Sequence, residues 1–130
     1  MKISTKGRYS LMLLLDLAER QSEGFIALKD ISQRSGISKK YLEQLVPLLT
    51  GMLQANRGPK GGYMLARPAK DCTVGEVLRL TEGELCPIPP QEDSPLWQGL
   101  RQAVNEYLDS VSLQDLLKQK KQAGADEYYI

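Results

Sequence analysis

Apolar residues recur at helical spacing over residues 5–21. Tyr9, Met12, Leu13 and Leu17 make one row, and Leu11, Leu14, Leu15 and Ala18 widen it. So broad a stripe predicts a helix buried on most sides. Glu23-Gly24 ends it, and Phe25-Ile26-Ala27 reads as a short extended link. Two shorter helices follow. The first, over residues 28–35, turns Ile31 inward and stops at Gly36, which tolerates the left-handed conformation. Ser38 is a preferred N-cap for the second, which runs from Lys39 towards Leu49. Leu42, Leu45, Val46 and Leu49 line one of its faces, with Lys40, Glu43, Gln44 and Pro47 on the other. Helix, short glycine-containing turn, helix is the pattern of a helix-turn-helix.

The pattern then changes to short strands. Residues 52–56 and 63–66 are strand candidates, and Arg57-Gly58-Pro59-Lys60-Gly61-Gly62 between them permits a tight, exposed hairpin tip. A hairpin directly after a helix-turn-helix is the wing of a winged helix. Beyond Pro68, Thr73-Val74-Gly75-Glu76 reads as a capping box opening a helix to about Glu82. Residues 83–93, rich in proline and acids, read as a loop. Ser94-Pro95 then provides an N-cap with proline at the first helical position. Leu96, Trp97, Leu100, Val104, Tyr107, Leu108 and Val111 follow at spacings that predict a long amphipathic helix ending near Ser110. A short helix capped by Ser112, with Asp115 at its third position, comes next. A polar tail over residues 118–126 leads to an abruptly apolar end, Tyr128-Tyr129-Ile130.

The expected fold is mainly α with a small β-hairpin wing: a winged helix-turn-helix plus a long C-terminal dimerisation helix. Residues 1–70 would form the DNA-binding domain, 71–93 a connecting helix and effector-type loop, 94–117 the dimerisation helices, and 118–130 a flexible tail. No internal repeat is visible, no apolar run approaches a membrane span, and the N-terminus lacks the apolar region of a signal peptide. A cytoplasmic protein with no membrane partner is expected.

The net charge of +1 hides an asymmetry. Residues 1–70 carry 12 Lys and Arg against 5 Asp and Glu, while residues 71–130 carry 5 against 11. A basic half joined to an acidic half fits a polyanion-binding module with something else attached. The absence of histidine removes His-based catalytic triads and the commonest metal ligand. No phosphate-binding glycine motif is present. Cys72 and Cys86 match no zinc spacing, and the helix expected between them, about 15 Å long, argues against a disulfide. Neither an enzyme nor a bound metal or cofactor is expected.

DNA binding has a concrete chemistry here. The polar face of the second short helix can enter a major groove. Lys39 and Lys40 in its first turn suit phosphates rather than the helix dipole. Gln44 can read adenine and Glu43 can accept from cytosine. Arg57 at the wing tip, beside Gly58, is the minor-groove candidate, and Lys6, Arg8 and Lys60 are phosphate candidates. The seven apolar residues from Leu96 to Val111 need a partner surface. Two-fold pairing supplies one and presents two recognition helices to a palindromic operator.

Three stretches carry a resemblance: Met1-Lys2-Ile3-Ser4-Thr5-Lys6-Gly7-Arg8-Tyr9; Ile37-Ser38 with Tyr41-Leu42-Glu43-Gln44-Leu45; and Arg57-Gly58-Pro59 with Gly61-Gly62-Tyr63. In this order they resemble the Rrf-two family of bacterial winged-helix regulators, over nearly the whole chain. The resemblance implies a dimer whose helix after Ser94 crosses to the other subunit, and DNA contacts from Ser38, Lys40, Tyr41, Glu43, Gln44 and Arg57. Two features depart from the pattern: the segment from Val46 to Asn56 is two residues shorter, and Pro47 removes a helical hydrogen bond. Cluster-binding members use three cysteines in the loop before the long helix, where this chain has only Cys86, so no iron–sulfur cluster is expected.

Within the family the chain is most similar to the repressors of cysteine metabolism, through Tyr41-Leu42-Glu43-Gln44-Leu45-Val46, the acidic loop before Leu96-Trp97, and the terminal Tyr129-Ile130. That resemblance implies cysteine synthase (O-acetylserine sulfhydrylase) as corepressor, bound through Tyr128, Tyr129 and Ile130. A C-terminal isoleucine offers an apolar side chain beside a carboxylate, which suits a pocket built for an amino acid. Two alternatives stand beside this one. One is a repressor of the same fold sensing redox state at Cys86 or Cys72, or a small ligand. The other is a protein-interaction adaptor that no longer binds DNA.

Overall fold

The computed structural model describes residues 2–89, 94–124 and Ile130. Among them lie six α-helices and one two-stranded antiparallel sheet: α1 Thr5–Glu19, α2 Leu28–Ser35, α3 Lys39–Leu45, β1 Leu53–Asn56, β2 Gly62–Leu65, α4 Val74–Glu82, α5 Pro95–Ser110 and α6 Leu113–Ala123. This is the mainly helical, hairpin-bearing fold expected from the sequence.

The first helix is the hub, touching α2, α3, α4, α6 and β2. Leu11, Leu13, Leu14, Leu15, Leu17 and Ala18 are all buried along it. One hydrophobic cluster spans Leu11 to Leu113, and residues of both proposed halves enter it: Leu42, Leu45 and Leu49 from one side, Val74, Val77, Leu78 and Leu113 from the other. Packing therefore does not separate the chain at residue 70.

Local signals set several boundaries. Gly36 adopts φ 78° and ψ 0° and donates its N–H to the Ser32 carbonyl, ending α2 as a left-handed cap. Ser38 and Ser94 accept from the N–H groups of Tyr41 and Trp97, starting α3 and α5. The hairpin pairs Leu53 with Leu65 and Asn56 with Gly62. Ile26 and Tyr63 exchange two backbone hydrogen bonds of 2.8 Å, so the extended link between α1 and α2 holds β2 near its tip-side end and anchors the wing. A side-chain carbon on Gly62 would strike the Ile26 carbonyl, so this pairing requires glycine.

Three expectations are corrected. The helix from Lys39 does not reach Leu49; it stops at Leu45, and Val46–Leu48 form a 3-10 turn containing Pro47. Proline lacks the N–H that would continue the α-helix. The polar tail does not begin at Lys118, because α6 continues to Ala123. Lys120 reaches Glu19 of α1 at 2.9 Å and holds that last stretch down. The Thr73 box is half formed. Thr73 accepts from the Glu76 N–H, but the Glu76 carboxylate pairs with Arg67 instead. The reciprocal box appears at Ser112 and Asp115, with bonds of 3.0 and 2.9 Å.

Candidate nucleic-acid interface

Helix α3 is seated by an inward face and leaves an outward one in solvent. Leu42 and Leu45 are 0% and 1% exposed. Ser38, Lys39, Lys40, Glu43, Gln44 and Pro47 are all exposed. At 3.6 residues per turn the two sets fall on opposite sides, so the candidate base-reading residues face outward together. Tyr41 is the exception. It is half-buried, and its ring meets that of Tyr9 edge-on, with centroids 5.6 Å apart and planes at 81°. This contact docks the start of α3 on the start of α1, placing Arg8 and Lys40 on the two chain segments it joins.

The wing tip is fully exposed from Arg57 to Lys60. Gly61 donates to the Gly58 carbonyl at 2.9 Å, closing the turn, and a side chain at Gly61 would collide with the Asn56 carbonyl. The turn therefore points both basic residues away from the core. At the start of α1, Lys6 and Arg8 are exposed on either side of buried Gly7. Three separated stretches of sequence thus contribute exposed cations from elements locked to one core.

The acids of the first half are largely committed elsewhere. Asp16 forms a two-pronged pair with Arg34 at 2.9 and 2.8 Å, bracing α2 on α1. Glu19 pairs with Lys120. Lys39 and Glu43 approach to 3.9 Å across one helical turn. Both are well exposed, so that pair contributes little and is readily exchanged for a phosphate and a base edge. Among the described residues, Lys6, Arg8, Lys40, Arg57 and Lys60 have no ion-pair partner within 4 Å.

The residues expected to dimerise divide into two sets. Val104, Leu108 and Val111 pack on the protomer's own core, and Trp97 is half-buried. Leu96, Leu100 and Tyr107 are 66%, 39% and 67% exposed. With Ala103 they form one outward row along α5, which has no buried residue at all. The helix is held to α4 by Arg79, whose guanidinium binds both Asp109 carboxylate oxygens at 2.8 Å and the Asn105 side-chain oxygen at 2.8 Å. Nothing in the local sequence announced these contacts, 26 and 30 residues apart. Ile130, expected on a flexible tail, is half-buried against the core cluster. Tyr128 and Tyr129 lie outside the described residues.

Helix-turn-helix, anchored wing and outward basic face together define a winged-helix transcription regulator. The family model Rrf2, described as "Iron-dependent Transcriptional regulator", matches residues 3–119. The chain belongs to that family. It is 43% identical over 123 residues to the HTH-type transcriptional regulator CymR of Bacillus subtilis (strain 168), covering 89% of each chain. The solved structure of CymR, called the global cysteine regulator of B. subtilis, superposes with a TM-score of 0.83 at 41% identity, covering 92% of this chain and 98% of that one. IscR of T. potens superposes with a TM-score of 0.79 at 39% identity, covering 98% and 97%.

The family description raises iron, and the donor set here does not fit a cluster. Such clusters are ordinarily held by four ligands, chiefly cysteine thiolates. This chain has two cysteines and no histidine. Cys72 is 0% exposed in the core, its thiol 3.5 Å from the Pro68 carbonyl, and burial pushes that thiol up, away from the ligating thiolate. Cys86 is half-buried and accepts a hydrogen bond from Arg101 Nε at 3.1 Å. Among the described residues no group of three or more His, Cys, Asp or Glu side chains is placed to hold a metal.

Proposed function

We propose that this protein is a cytoplasmic, dimeric repressor of cysteine and sulfur metabolism genes, bound to a palindromic operator in double-stranded DNA. The observation that carries the reading is the exposed face of α3, flanked by the basic start of α1 and the basic wing tip. The exposed face of α3 enters the major groove, where Gln44 and Glu43 address base edges and Lys39, Lys40 and Ser38 hold phosphates. Tyr41 positions that helix through Tyr9. Arg57, with Gly58 allowing close approach, enters the minor groove, and Lys6, Arg8 and Lys60 neutralise backbone charge. The outward row on α5 pairs with its symmetry mate and sets the spacing of the two recognition helices. The relative's description as a cysteine regulator supports the class of gene.

Cysteine synthase is the proposed corepressor, through Tyr128, Tyr129 and Ile130. Because Ile130 lies half-buried on its own core, capture by the enzyme begins with its release. Recovery of operator fragments from cells, with identification of copurifying proteins, tests the gene class and the partner together. In a mobility shift, Arg57→Ala should weaken operator binding, and affinity should fall steeply with salt. Equal synthase affinity after removal of residues 126–130 would refute the partner.

One observation favours a second signal. The Arg101 guanidinium holds the Cys86 thiol below its ordinary pKa, which enriches the oxidisable thiolate. Under this redox reading, Cys86→Ser abolishes a peroxide-dependent change in operator affinity that removal of the tail leaves intact.

A further inference from the structure

We infer that Glu82, at the end of α4, is a positioning residue for DNA binding: it clamps Ser4 and thereby fixes the first turn of α1, which presents Lys6 and Arg8. The inference rests on the proposed role of those two side chains as phosphate contacts.

Ser4 joins two elements 78 positions apart. Its backbone N–H donates to one Glu82 carboxylate oxygen, and its hydroxyl donates to the other at 2.8 Å. The same hydroxyl accepts from the Gly7 N–H at 3.1 Å, capping α1. Gly7 provides a second seat. A side-chain carbon there would lie 3.1 to 3.2 Å from Leu78, Thr81 and Glu82, so the first turn rests directly on the last turn of α4. The carboxylate also sits at the positive end of the α1 dipole. Burial pushes the Glu82 carboxyl up, but the Ser4 N–H and hydroxyl, the Thr81 hydroxyl and the charge of Lys6 together hold the group below its ordinary value. It is therefore ionised at neutral pH, as a clamp at a helix N-terminus requires.

Without this clamp the first turn of α1 would lose the contact that holds its N-cap, and helix ends without such support fray. Lys6 and Arg8 would then sample positions away from the duplex, and their phosphate contacts would be made only part of the time. The same stretch of α4 also registers α5. Arg79, one turn before Glu82, holds Asp109 and Asn105, and the Asn105 amide donates to the Leu85 carbonyl at 2.8 Å just beyond it. The phosphate-contacting turn and the proposed dimer helix are thus fixed to one short segment.

The test uses the full chain, an operator duplex and affinity measured over a salt series. Each phosphate contact contributes about 0.9 to the log–log salt slope, and so about eightfold in affinity for each tenfold change in salt. Glu82→Ala should weaken binding about tenfold at 0.1 M and flatten the slope. Glu82→Gln, which keeps an acceptor for Ser4, should fall between it and wild type. Adding Lys6→Ala and Arg8→Ala to Glu82→Ala should cost little more than those two changes alone, because the clamp acts through them. A purely structural glutamate would lower the melting temperature and leave the slope unchanged. That result, or fully additive losses, overturns the inference. If Glu82→Ala does not fold, Ser4→Ala carries the same test. If Lys6→Ala with Arg8→Ala leaves the slope unaltered, their reading as phosphate contacts fails and the clamp falls with it. If that pair flattens the slope and Glu82→Ala does not, only the clamp fails.

Discussion

Helices α1 and α5 are similar in length, 15 and 16 residues, and both carry apolar residues at helical spacing. Their fates differ. The first buries eight residues, and five other elements close around it. The second buries none completely and turns Leu96, Leu100 and Tyr107 to solvent. The breadth of the stripe makes the difference. Residues 11, 13, 14, 15, 17 and 18 cover most of the circumference of α1, which needs neighbours on every side. The stripe of α5 has an inner edge, Val104 and Leu108, satisfied by its own core, and an outer edge that a single protomer leaves uncovered. A helix of the first kind specifies a fold; one of the second kind leaves an exposed apolar edge, the surface assigned above to the proposed dimer.

The largest effect should come from breaking the finished helix. Leu13 is 0% exposed, and Leu13→Ala should destabilise by about 3 kcal/mol, from lost burial and the cavity left behind. Urea unfolding checks this, and a loss below about 1 kcal/mol would mean that the core around α1 collapses to fill the space. The matching change on the unfinished helix should act differently. Leu100→Glu with Tyr107→Glu should weaken dimerisation by about a hundredfold, since a few central apolar residues dominate such interfaces, while helix content stays constant. Sedimentation with circular dichroism separates the two effects. A variant still dimeric at micromolar concentration would place the interface elsewhere.

A smaller effect sharpens the boundary between the two helices, where Arg79 braces α5 on α4. Arg79 and Asp109 are partly exposed, 36% and 45%, so solvent screens them and Arg79→Ala should cost only about 1 kcal/mol. The pH signature is more telling. The Arg79 guanidinium holds the Asp109 carboxyl below its ordinary value. Its contribution is therefore present above the ordinary carboxylate range and lost as pH falls through the lowered value. Urea midpoints from neutral to acid pH should drop less in Arg79→Ala than in wild type. Parallel profiles would show that the brace adds nothing to folding.

What could be read in the sequence was what short-range chemistry decides. The bounds of α2, the caps Ser38 and Ser94, the stop at Gly36 and the wing turn each depend on residues a few positions apart. The helical period overextends α3, because Leu49 keeps it past Pro47 while the chain's 3-10 turn buries Leu49 equally well, at 1% exposure. The end of α6 is not legible in the sequence, because Lys118, Gln119 and Lys121 look like solvated tail. Their helix is held by Leu116 and Leu117 on the core and by Lys120 on Glu19, 101 positions away. At the candidate site, the residue types of α3 and the wing were evident from period and charge. The Ser4–Glu82 contact, the turning of Tyr41 onto Tyr9 and the sorting of α5 into inner and outer rows depend on tertiary placement. No local pattern encodes them.

The smallest effect tests how complete α1 is. Ser10 lies one turn beyond Gly7 on the same face, is 0% exposed, and its hydroxyl has no hydrogen-bond partner among the described residues. The hydroxyl itself is a desolvated polar atom without such a partner. Ser10→Ala removes that atom, keeps the volume nearly constant and improves helix propensity. It should raise stability by about 0.5 to 1 kcal/mol in urea unfolding and leave operator affinity unchanged. A loss of stability would instead show that the hydroxyl finds a partner in solution, such as a buried water. The most enclosed helix of the molecule would then depend on a polar contact at its centre.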